Sequence, residues 1–292
     1  MVNGWEDSAC PLCGSLRAAP VWEEILDADA RRVSGASEVR VVECTGCRFC
    51  FTNPRPSEEI LSRYYGLVTD GVGAADEGSG SRQALFAEGL SLIRRLAPGR
   101  RLLDVGCWTG EFLRVARAEG FGGRGVEINP VLAEYARNQH GLDVLVGGFG
   151  DVPLDPGSAD AVTMWDVLEH LRDPRRAVRR AFDVLVPAGL LVVVSPNIRF
   201  QLVKSRLMRR LGRPATISGI AHLNHFSEAS LAKLVEREGF TVAHRGTAAA
   251  HLRGGRVENA LRCAYVAMAR LVRVTTGINV NNSLLLVARR GP

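Results

Sequence analysis

The stretch RLLDVGCWTG at residues 101–110 constrains the fold more than any other. An apolar, β-rich run (Leu102, Leu103, Val105) ends in a glycine turn, and the next residues, EFLRVARAEG, carry helical periodicity. Glycines at such a turn let backbone approach a ligand, while the first N–H groups of the helix face it unpaired. A second strand-like run ends at Glu127 within GVEINP. About twenty residues after the turn, an acid at this place accepts hydrogen bonds from ribose hydroxyls in dinucleotide-type half-folds. Glycine turns also join strands to helices that bind nothing. Strand, turn, helix, strand and acid in this order predict a nucleoside cofactor.

The turn DVGCWTG is not G-x-G-x-x-G; it resembles motif I of class I S-adenosylmethionine (SAM) methyltransferases, D-x-G-x-G-x-G. Asp104, Gly106 and Gly110 match, and Trp108 stands where the middle glycine is usual. GGFGDVPLDPGSADAVTMWDVLEHLRDP, ending at Pro174, is similar to the later motifs of that family, with an acid-bearing loop, an apolar strand and an LEH turn. GLLVVVSPN at 189–197 resembles the next strand, and HLNHFSEASLAKLVEREGF at 222–240 the late helix. The similarity runs over residues 82–290. It implies a Rossmann-like α/β fold and SAM as cofactor. In the resemblance Asp104, Gly106 and Gly110 hold the methionine end and Glu127 the ribose; Cys107 and Ile128 line the cofactor beside them, and Trp108 points away from the methionine moiety or packs over it. Phe149 stacks on the adenine, Asp151 bonds its amino group, and Trp165 ends the fourth strand beside the cofactor.

The bare pattern agrees. Strand-like runs near 101–105, 123–127, 143–147, 159–164, 189–195, 241–245 and 283–289 alternate with helical ones near 110–119, 129–139, 174–186 and 227–238. That alternation predicts a parallel sheet covered by helices on both faces, with ligands beyond the carboxyl ends of its strands.

Methyl transfer from a sulfonium is an in-line displacement with an activated leaving group, so the protein chiefly aligns the acceptor and takes a proton from it. His170 in the LEH turn is one candidate base; His222 and His225, spaced H-x-x-H, are two more. Each has a plain alternative in packing or hydrogen bonding. The D-V-L-E-H spacing also resembles ubiquinone-pathway O-methyltransferases, in which such side chains hold a divalent cation; here Asp166, Glu169 and His170 take those places.

Of seven cysteines, Cys10-x-x-Cys13 and Cys44-x-x-Cys47 form two knuckles. Thiolates two residues apart in a tight turn face one tetrahedral ion, and two such turns complete a closed structural zinc site. Cys50 offers an alternative ligand. The segment resembles the zinc-binding N-terminal part of bacterial sugar and small-molecule methyltransferases. In the resemblance the segment with the PRP turn and Tyr64-Tyr65 packs near the cofactor cleft; the plainer reading of the two tyrosines is an aromatic staple between module and core. Domains are therefore expected at 1–69 (zinc ribbon and connector), 70–81 (a glycine-rich flexible linker) and 82–292 (methyltransferase), with a lid insertion at about 197–226 and an extra helix at about 256–275.

Net charge is +6, which permits acidic partners without demanding them. RFQLVKSRLMRRLGR at 199–213 is a basic amphipathic lid suited to phosphorylated or lipid-linked acceptors, or an ordinary surface helix. The nearly apolar 257–274 suggests core packing, a homodimer interface or a membrane contact. With no apolar run approaching ~20 residues and no cationic leader, a cytoplasmic location is expected. The resulting expectation is a SAM-dependent methyltransferase acting on a small, sugar-, lipid- or carrier-linked metabolite. RNA methylation with the ribbon as reader, and a catalytically silent SAM-binding scaffold, are the alternatives. The basic residues lie on the lid and not around the knuckles, which disfavours nucleic acid.

Overall fold

The computed structural model describes residues 4–67, 79–217, 219–252 and 255–291. Residues 70–78 of the expected linker lie outside that set, and Ser79–Arg82 forms a 3-10 turn. The N-terminal part comprises β1 (Trp5–Glu6), β2 (Ala18–Ile25), α1 (Ala28–Ser34), β3 (Glu38–Cys44), β4 (Cys50–Thr52), β5 (Arg55–Pro56) and α2 (Glu58–Leu67). Then come α3 (Gln83–Leu96), β6 (Arg101–Val105), α4 (Glu111–Ala118), β7 (Gly122–Glu127), α5 (Pro130–His140), β8 (Asp143–Val146) and β9 (Ala159–Trp165). A 3-10 turn at Leu168–His170 leads to α6 (Pro174–Val184), β10 (Leu185–Pro196) and α7 (Ile198–Arg210). The chain ends with β11 (Asn224–His225), α8 (Glu228–Arg237), β12 (Phe240–Thr247), α9 (Arg256–Thr276) and β13 (Ser283–Arg290).

Seven strands form one sheet in the order β12-β13-β10-β9-β6-β7-β8. Alternate side chains of each central strand enter opposite cores. Leu102, Ala161, Val192 and Val287 pack under α3 and α4. Leu103, Val162, Val193 and Leu286 pack with α6 and α8. Each buried side chain of this size contributes ~1.5–3 kcal/mol, whereas exposed pairs such as Arg32–Asp29 contribute at most about 1. The core therefore holds the fold. The sheet is not wholly parallel: β13 runs antiparallel to both β10 and β12. The chain makes its α9 excursion after β12 and returns at the same end of the sheet, so the last strand must enter reversed. Helix starts are written locally; Asn129 Oδ1 accepts from Val131 N–H with Pro130 following, and Ser227 and Ser230 form a capping box.

A second sheet has the order β11-β4-β3-β2. Three strands belong to the N-terminal part, and the fourth, β11, comes from the insertion after α7. Phe51 pairs with Asn224, and Cys50 with His225. Cys10, Leu12, Phe49 and Phe51 share one core with Phe226, Leu231 and Met164. Trp22, Val41 and Cys50 pack on Ile198 and Leu202 of α7. The cysteine-bearing part is thus built into the larger one.

Candidate functional site

The site lies beyond the adjacent carboxyl ends of β6, β7 and β9. After β6 the chain turns through Gly106 (φ 66°), Trp108 (φ 53°) and Gly110 (φ 83°) before entering α4. A Cβ on Gly106 would lie 2.7 Å from Val167 Cγ2, and one on Gly110 2.2 Å from Leu142 Cδ1. Only glycine fits either place. Trp108 takes the left-handed conformation usual for glycine at a cost of ~1–2 kcal/mol, so the turn keeps its shape. Its indole is 40% exposed.

Glu127, at the end of β7, is buried and spans this turn: Oε2 accepts from Trp108 N–H and Oε1 from Asn129 N–H, each at 2.9 Å. Each oxygen keeps a lone pair for a further donor. Burial raises its pKa, opposed by those N–H groups. Asp104 is more deeply buried and accepts from Thr163 Oγ1 at 2.6 Å. Burial pushes its pKa up to about 7, with the Thr163 hydrogen bond opposing. Two buried carboxylates beside a side-chain-free cradle fit a ligand rich in hydroxyl and amino donors. Cys107 is buried against Gly125, and Ile128, next to Glu127 in the chain, is exposed.

The other expected cofactor residues divide. Phe149 is buried in the core, and Asp151 is on the surface 3.5 Å from Arg176. The Trp165 ring packs with Phe86 and Phe112, at 5.2 and 4.9 Å between centroids, beneath the site. What Trp165 presents to the cleft is backbone: Arg82 reaches its carbonyl and pairs with Asp166 at 2.5 Å.

Val167, which abuts Gly106, leads into the LEH turn. Here the histidines converge: His170 and His222 lie edge to face with centroids 4.7 Å apart. His170 Nδ1 is 3.1 Å from the Ala221 carbonyl oxygen, which can only accept, so Nδ1 carries the proton and Nε2 the lone pair. The Tyr65 hydroxyl lies 3.2 Å from the same Nδ1. Burial lowers the pKa of His170, and lowers that of His222 much further, with His170 and His225 adding to the effect. Both rings are therefore neutral near pH 7. His225 lies next to His222, ring centroids 6.4 Å apart: it is buried in β11, its Nε2 3.1 Å from Thr52 Oγ1, and burial takes its pKa down to about 3.

Glu169 is fully buried, receives Ser195 Oγ–H at 3.1 Å and leaves Oε1 without a partner among the described residues. Burial, with Asp166 nearby, raises its pKa well above the carboxylate range. Glu169, His170 and His222 offer ligand atoms within 4.8 Å of one another. The expected trio held Asp166 in place of His222; Asp166 is instead drawn off by Arg82. Tyr65, Arg82 and Thr163 escaped the sequence reading as site residues. Tyr65 carried a signal, its aromatic pair after the PRP turn, whereas a lone arginine or threonine carries none.

About the N-terminal knuckles, the sulfurs of Cys10, Cys13, Cys44 and Cys47 lie within 4.8 Å of one another, with Cys10–Cys47 and Cys13–Cys44 at 3.5 Å. Sulfurs about 2.3 Å from one tetrahedral ion stand a little under 4 Å apart, so the set suits such an ion. Although Cys44 is partly desolvated, the Cys47 and Gly46 N–H groups aimed at its sulfur bring its pKa down to about 7. Cys50 is outside the set, buried in β4 with its sulfur 3.9 Å from Glu43 Oε2.

Residues 80–245 match a family profile described as Methyltransferase domain. Among curated proteins, the chain is 31% identical over 149 residues to a protein of Mycolicibacterium smegmatis named "Probable S-adenosylmethionine-dependent methyltransferase", covering 49% of this chain and 53% of that one. It is 35% identical over 107 residues to the ubiquinone biosynthesis O-methyltransferase of Xanthomonas campestris, covering 34% and 44%. The matches span about half of the length of these curated relatives. Among solved structures, a SAM-dependent methyltransferase of Thermotoga maritima superposes with a TM-score of 0.53 at 20% identity, covering 77% of this chain and 99% of that one. One from Archaeoglobus fulgidus gives 0.51 at 19%, covering 78% and 100%. At such identity the likeness is one of fold.

Proposed function

From the chain's membership of the class I SAM-dependent methyltransferase family, we propose that it moves a methyl group from SAM to a small or carrier-linked metabolite, with His170 Nε2 receiving the acceptor's proton. The observation that carries this reading is the abutment of the glycine turn, through Val167, on the LEH turn that bears the neutral His170–His222 pair. SAM supplies an activated methyl group. Glu127 holds the ribose hydroxyls; Asp104 and the backbone of Gly106 and Gly110 hold the methionine end. Phe149 and Asp151 flank the adenine in the same reading. His170, fixed as its Nδ1–H tautomer by the Ala221 carbonyl, keeps Nε2 free as a base, and His222 packs its ring edge to face. His225 acts through Thr52 as a strap joining β11 to β4.

The four-cysteine set holds a structural zinc ion in this reading: four thiolates close the coordination sphere and leave no place for a reacting water. Its work is to keep Thr52 and Tyr65 against the histidine cleft.

Methylation of RNA is favoured by one feature, a basic groove of about 460 Å³ lined by Trp22, Arg206, Arg209 and Arg210. Incubating the protein and SAM labelled in its methyl group with extract of the source cells, then fractionating, separates the readings. Label in small molecules or lipids supports the metabolite acceptor. Label in RNA overturns it, and SAM binding with no label transferred to any fraction makes the chain a silent binder.

A further inference from the structure

Helix α9 is built inside out. Two of its arginines turn toward the body of the protein, Arg270 pairing with Glu88 of α3 at 2.5 Å and Arg273 with Glu228 of α8 at 2.9 Å, while Arg262 pairs with Glu258 along α9 itself at 2.6 Å. Only Val266 and Ala269 of its 21 residues are buried. The opposite face presents Val257, Leu261, Ala264, Met268, Leu271 and Val274; the five larger side chains are between 46% and 84% exposed. From Val257 to Leu271 that face carries no charged residue; Arg256, at the first position of the helix, stands in line with Val274 alone. The first five residues are spaced 4, 3, 4, 3, which is the 3.5-residue seam that one helix offers another.

We infer that this face is where a second copy of the chain docks, α9 against α9, antiparallel about a two-fold axis that passes between Ala264 and Met268. In that register Leu261 meets Leu271 and Ala264 meets Met268, and the alanine lets the backbones approach. The seam is self-complementary, as a two-fold interface requires. With Ile278 just beyond the helix, also exposed, the larger apolar side chains present roughly 700 Å² per chain, near the ~800 Å² per partner of a stable dimer and above the few hundred usual on a monomer. A lipid surface fits less well. Membrane-surface helices carry cations beside the apolar stripe, and here three of the four arginines of α9 are tied to carboxylates.

Light scattering and sedimentation of the full chain over 1–100 μM (roughly the range in which interfaces of this size associate) test the inference. The expected result is the mass of two chains for the wild type and of one for Leu261→Glu/Leu271→Glu, with association weakened at least ~100-fold and SAM affinity retained. In a Cys263→Ser background, Ala264→Cys/Met268→Cys is expected to give a covalent dimer on mild oxidation, which reads the register without disturbing charge. A wild type of single-chain mass throughout, a charged variant that still dimerises, or a monomer that instead floats with phosphatidylglycerol vesicles overturns it.

Discussion

His170 shows how one backbone carbonyl settles a side chain's chemistry. Because the Ala221 oxygen accepts the Nδ1–H hydrogen bond, the basic nitrogen of the ring is fixed at Nε2 by a neutral partner. His170→Ala is expected to lower turnover about 10²–10⁴-fold while leaving SAM affinity within a factor of about three, since general-base catalysis contributes on that scale. Calorimetric titration beside a rate assay separates the two, and near-normal turnover would mean that alignment alone drives the transfer. Glu127→Ala should show the reverse order of damage. It removes the acceptor for ribose hydroxyls and leaves the Trp108 and Asn129 N–H groups unpaired, so SAM affinity should fall at least ~100-fold, at ~1.5–3 kcal/mol per lost charged hydrogen bond.

At the scale of elements, the seven-stranded sheet was readable because its central strands are short, continuous apolar runs buried on both faces, and its helices end at glycines and prolines. The reversal of β13 was not, since antiparallel and parallel strands share one hydrophobic pattern. The glycine turn and Glu127 were legible by spacing alone. The partnership of His170 with Tyr65 joins residues 105 positions apart, and no local pattern encodes it. Nor did β11 announce itself; two residues make no strand until β4 offers them an edge. That pairing carries a prediction about the knuckles. Cys44→Ser, or chelation of the wild type, should loosen β3 and β4, hence Thr52 and the strap to His225, before it touches the glycine turn. Amide exchange is expected to speed up at residues 38–52 and 222–226 and stay slow at 101–110. Loss of protection at 101–110 to the same extent would show that the ribbon has no local role.

For the whole molecule, the buried ionisable groups pull stability in opposite directions as pH changes. His225 ordinarily titrates at 6.5 and in the fold at about 3, so between those values the unfolded chain binds a proton that the folded chain does not. Its contribution is complete above pH 6.5 and is lost as pH falls. Asp104, raised from 3.8 to about 7, is protonated in the fold first and adds stability as pH falls through that window. In urea unfolding from pH 7 to 4.5, His225→Gln should flatten the acid-side decline and Asp104→Asn steepen it, each by up to about 1.4 kcal/mol per pH unit. The sheet shared between the ends of the chain has a consequence for synthesis. Strand β4 is complete at Thr52, yet the strand that covers its edge is made only at Asn224–His225. At ~5–20 residues per second on the ribosome, that edge waits roughly ten to thirty seconds for its partner. During that interval the nascent chain carries an open strand beside four thiols, and early capture of a metal ion would be its first protection against pairing with a neighbour on the same messenger.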